Sequence, residues 1–76
     1  MSTAVKIQTQ LREVSGEIEW LESKLPQLER HLFEGSMTLS YQEVRRLKDE
    51  IEEARHNLEL ARRRQVRLKE KWAVLQ

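Results

Sequence analysis

The chain contains no cysteine, which excludes a disulfide framework and any thiolate metal site. The same absence favours a cytoplasmic setting. Pro26 is the only proline, and Gly16 and Gly35 are the only glycines, so strong breakers of regular structure are confined to three positions. No apolar run approaches the roughly 20 residues of a membrane span. The start, Met1-Ser2-Thr3-Ala4-Val5-Lys6, lacks the apolar core of a secretory signal. Neither sign of charge dominates: 14 Lys and Arg stand against 13 Asp and Glu. The molecule as a whole is therefore not a polyelectrolyte binder. At 76 residues the chain is one small domain at most, of a size that often needs a staple or a partner.

What is present is periodicity. One apolar ladder comprises Ala4, Ile7, Leu11, Val14, Ile18, Leu21, Leu25, Leu28 and Leu32. A second comprises Val44, Leu47, Ile51, Ala54, Leu58, Ala61, Gln65, Leu68, Trp72 and Leu75. The steps alternate three and four, broken only by the polar Gln65, and this is the a/d seam of a coiled coil. A charged fraction of 36% thus belongs to a solvated helical surface rather than to a disordered chain. The ladders mirror one another about Gly35, Ser36, Thr38 and Ser40. The expectation is an all-α, antiparallel two-helix coiled-coil hairpin: a helix over about 3–34, a turn at 35–40 and a helix over about 41–75. Residues 1–76 then form a single hairpin, able to join a three- or four-helix bundle with itself or a partner. The N-terminal Met and the mirror symmetry point to a whole gene product. The register suits a closed hairpin and a domain-swapped dimer alike.

Local signals set the ends. Ser2 or Thr3 caps the first helix, and Gly35 stands where a left-handed residue ends one. Ser40-Tyr41-Gln42-Glu43 is a capping box for the second helix, with Leu39 and Val44 as its hydrophobic staple. Pro26 falls at an outer heptad position, where it either bends the helix or starts a new one. Mirror pairing sets Leu32 against Leu47, Leu21 against Leu58, Val14 against Gln65, Ile7 against Trp72 and Ala4 against Leu75. The flanking pairs expected from it are Glu29–Lys48, Glu22–Arg55, Glu17–Arg64 and His31–Glu50. A polar Gln65 in the seam can fix the register, or it can sit wet near a fraying end.

Apolar residues outside the seam are the first candidates for binding. Trp20 and Leu60 both occupy heptad position c and face the same flank. Val5 and Ala73 share the other flank, and Phe33 and Met37 lie by the loop. Trp is enriched among interface anchors, so Trp20, Leu60, Phe33 and Met37 are the expected partner-binding residues. The second candidate is basic: Arg62, Arg63, Arg64, Arg67, Lys69 and Lys71 cluster near the end of helix two with only Glu70 against them. Such clusters meet nucleic acid or an acidic partner, although no aromatics are interleaved for base stacking.

Catalytic chemistry finds little support. Glu53-Ala54-Arg55-His56 has the Glu-x-x-His spacing of di-iron bundles, but occurs once and points outward. No nucleophile–base set or phosphate loop is present. No catalytic residue, cofactor, metal or small-molecule substrate is expected.

Leu32-Phe33-Glu34-Gly35 followed by Leu39 resembles the Leu-x-x-Gly-x-x-x-Leu turn of the exonuclease VII small subunit. A helix ending at Gly35 with Tyr41 six residues on is similar to the two-helix co-chaperones of type III secretion needle subunits. Both resemblances are confined to the turn. They imply a small accessory protein that holds a larger or sticky partner. The function expected is thus a non-enzymatic protein-interaction module, an accessory subunit, adaptor or chaperone that packs a partner helix. The alternative is a dimeric hairpin that binds nucleic acid through its basic end.

Overall fold

The computed structural model describes residues 2–76. They form two helices, α1 (Thr3–Gly35) and α2 (Tyr41–Leu75), joined by a short turn. The helices pack side by side into an antiparallel rod 54 × 17 × 14 Å. Among the described residues no helix is long and apolar enough to cross a membrane.

Ser2 caps α1: its Oγ accepts the Val5 amide at 3.2 Å. Ser40 caps α2 likewise, accepting the Glu43 amide at 3.2 Å, so one half of the capping box forms. α1 runs through Pro26 without dividing. Pro26 sits on the outer face, and the carbonyl it leaves without its usual backbone donor belongs to the exposed Glu22.

The turn departs from expectation. Gly35 is the last residue of α1, and no glycine adopts a positive φ. Ser36 ends the helix in right-handed geometry, φ −58° and ψ −27°. The reason for glycine is space rather than backbone freedom. The Leu39 amide bonds back to the Gly35 carbonyl at 2.7 Å, and this folds the Leu39 side chain onto the glycine. A Cβ at Gly35 would stand 2.6 Å from Leu39 Cδ1 and 2.7 Å from Cγ.

The core is the seam alone. Ile7, Val14, Ile18, Leu21 and Leu25 of α1 are buried against Leu47, Ile51, Ala54, Leu58, Ala61 and Leu68 of α2. Burial weakens towards both ends: Leu28, Leu32, Val44 and Trp72 are half-buried. Leu75, expected in the seam, is 48% exposed, because its layer partner Ala4 is small and no further layer covers it. Gln65 is neither lost to solvent nor orphaned. Its Nε2 donates to Ser15 Oγ at 3.2 Å, one residue from Val14, its expected layer partner. Sliding α2 by one heptad would move it about 10 Å and separate this pair.

The ion pairs shift by one heptad from those expected. Arg55 meets Glu29 at 3.5 Å and Arg62 meets Glu22 at 3.3 Å, whereas the four expected pairs do not form. Helical side chains lean towards their own N-terminus. In an antiparallel pair, a base and an acid at one level therefore lean apart. Residues about a turn further towards their own C-termini converge instead. Both of these pairs, and Arg63–Glu59 within α2, are solvent-exposed.

Two outcomes are expected in urea denaturation. Arg55→Gln and Arg62→Gln each lower stability by less than about 1 kcal/mol, whereas Leu21→Ala, emptying a buried seam position, lowers it by about 2–5 kcal/mol. Gly16 has open space around it, so Gly16→Ala stabilises by about 1 kcal/mol. Gly35→Ala destabilises by about 1 kcal/mol through overpacking. Combined with Leu39→Ala, the Gly35→Ala penalty disappears in a double-mutant cycle.

Candidate functional site

Two helices that share one seam leave both flanks of the rod uncovered. Heptad positions c and g of both helices fall on one flank, and b and e on the other. The side chains expected to bind a partner do not form one patch. They divide between the flanks and the tip.

Trp20 lies on the c/g flank and is 59% exposed. The Lys24 ammonium sits 4.5 Å from its ring centroid, a cation–π contact between residues one turn apart. A shallow groove runs from Trp20 across the helix pair, walled by Lys24, Glu50, Glu53 and Asn57 and floored by Leu21 and Ala54. Leu60 is not part of that groove, but it lies on the same flank and is 47% exposed. Its height follows from the Ser15–Gln65 bond. Five residues on from Ser15 is Trp20, and five back from Gln65 is Leu60. Each step is about 7.5 Å in the same direction along the rod. Trp20 and Leu60 therefore stand level with one another, near its middle.

Phe33 is 82% exposed on the opposite flank. It lines an open groove of about 640 Å³ with Leu32, Val44 and Ile51, between Glu29, Lys48 and Arg55. Met37, 93% exposed, lies in the turn. Val66 was not among the expected residues, yet it is exposed and edges a second groove on the Phe33 flank, beside Leu58, Arg62 and Arg63. The available signal was an apolar residue at position b amid charged neighbours.

The basic cluster also divides. Arg62 is engaged by Glu22 and Arg63 by Glu59. Arg64, Arg67, Lys69 and Lys71 have no acidic partner among the described residues. At about 100° per residue, Leu60, Arg64, Arg67 and Lys71 share one stripe of α2, on the flank of Trp20. Lys69 falls on the other flank, in a heptad row with Lys48, Arg55 and Arg62.

No polar or charged side chain is buried among the described residues. No group of three or more His, Cys, Asp or Glu side chains is placed to hold a metal ion. His31 and His56 are both exposed. What the arrangement offers chemically is surface: an aromatic and aliphatic pair at mid-rod, with free bases on one side of it and acids on the other.

Compared with family models, with curated proteins and with solved structures, the chain has no significant match.

Proposed function

We propose that this hairpin is a non-enzymatic interaction module, an accessory subunit, adaptor or chaperone that works by accepting an amphipathic helix on its Trp20–Leu60 flank. The observation that carries the reading is the exposure of Trp20, 59%, and Leu60, 47%, level with each other on one face. A seam between only two helices cannot cover them. A third or fourth helix laid along this face would bury both and complete a bundle. Anchors spaced i, i+3, i+4 and i+7 on the incoming helix would suit the groove. Trp20 lies outside the seam and is mostly exposed, so this reading expects binding and folding to be separable at this residue.

A second reading draws on Arg64, Arg67, Lys69 and Lys71, which no acid neutralises. In it the open end of the rod grips the phosphates of nucleic acid, and affinity falls steeply with salt.

Trp20→Ala is expected to weaken association at least tenfold while the far-ultraviolet circular dichroism stays unchanged. Parallel loss of helicity and association would make Trp20 part of the core and overturn the first reading. For the second, fluorescence anisotropy with a short RNA and a short DNA duplex at low ionic strength is the check. Arg64→Glu with Arg67→Glu should abolish any binding seen, and no salt-sensitive binding by the wild type would remove the reading.

A further inference from the structure

We propose that the occupant of the Trp20–Leu60 flank is a second copy of this chain, laid antiparallel across a twofold axis that crosses the rod at the level of these two residues. The inference rests on the reading of this flank as an interaction face and names its partner. It comes from the distribution of charge along the face. Towards the open end, α2 presents Arg64, Arg67 and Lys71; towards the turn it presents Glu50 and Glu53, with Arg46 and Glu43 nearer the turn itself. All seven are exposed, and none is engaged in an ion pair among the described residues. A twofold axis lying in the interface across the rod reverses its direction, and sets α1 over α1 and α2 over α2 of the other copy.

The levels then match. Arg67 is seven residues to one side of Leu60 and Glu53 seven to the other, so each Arg67 meets the Glu53 level of the second copy. Lys71 falls beside Glu50. On α1, Lys6 is fourteen residues from Trp20 and Glu34 fourteen on the far side, while Glu17 and Lys24 lie three and four away in opposite directions. Trp20 and Leu60 each meet their own counterpart at the axis. No two like charges of this face meet at matching levels. Such self-complementarity is what an isologous contact requires, and every helix gains antiparallel neighbours, as in an up-down four-helix bundle.

The opposite flank fails the same test. There Glu19, which has no basic partner among the described residues, stands within one residue of the axial level, so a twofold axis at that level would set its carboxylate near its own copy. Size is adequate as well. A face 54 Å long and 17 Å wide is on the order of 900 Å², comparable to the roughly 800 Å² per partner of a stable interface.

The test is sedimentation equilibrium of the full chain across concentration and salt, with helicity followed in parallel. Wild type should sediment at twice the monomer mass. Trp20→Ala should raise the dissociation constant at least tenfold. The pair Arg67→Glu/Lys71→Glu should be monomeric, and so should Glu50→Arg/Glu53→Arg. An equimolar mixture of these two variants should recover a heterodimer, which a domain-swapped dimer does not require. A dimer that both charge variants retain would overturn the proposal. A wild type monomeric throughout would overturn the choice of a second copy alone; Trp20-dependent binding of another amphipathic helix would then keep the flank reading alive. A dimer indifferent to Trp20→Ala would overturn both.

Discussion

Burial of one apolar stripe per helix, and only one, is the constraint on which the rest of this molecule depends. Ile7, Val14, Ile18, Leu21 and Leu25 find cover only against Leu47, Ile51, Ala54, Leu58, Ala61 and Leu68. Nothing lies behind either helix. The seam therefore aligns the helices, sets the length of the rod and leaves the same residues at its ends half-covered. It also leaves a core one layer thick. Every polar and charged side chain stays in contact with water.

Two small polar and steric devices keep that seam in register. Gln65 interrupts the apolar ladder and bonds to Ser15 across the interface, a pair that a slip of one heptad separates. At the turn Leu39 folds onto Gly35, where an added Cβ would force the Leu39 side chain to shift. The first acts near the middle of the rod and the second at the turn. Between them the exposed ion pairs Arg55–Glu29 and Arg62–Glu22 add little energy, but they favour the same alignment. The resulting alignment brings Trp20 level with Leu60, and with it the charges that flank them.

Much of this was legible in the residues. The alternating spacing of apolar positions reports helices directly, because only a repeat near 3.5 keeps those side chains on one face. Ser40 before Glu43 marks the start of α2, since few residues other than Ser can bond the free amides there. Trp20 and Leu60 could be placed on one flank from heptad position alone. Gly35 was misread because glycine serves two physical needs, a left-handed backbone and an absent side chain, and the letter does not say which. The ion pairs were misplaced for a related reason. Residue level is encoded in spacing, but the lean of a side chain along its helix acts in three dimensions. Leu75 continues the heptad pattern, yet a pattern does not record where the opposing helix runs out of bulk.

The sequence by itself determined the class of fold, the helix boundaries to within a residue or so, the antiparallel register and the flank on which Trp20 lies. All of these are properties of spacing along a helix of fixed geometry. Only the tertiary structure decided that α1 passes Pro26 whole, that Gly35 yields to Leu39, and which of the six clustered bases are neutralised. These depend on which atoms of two helices arrive at the same place, and that is settled by packing across the seam rather than by order along the chain.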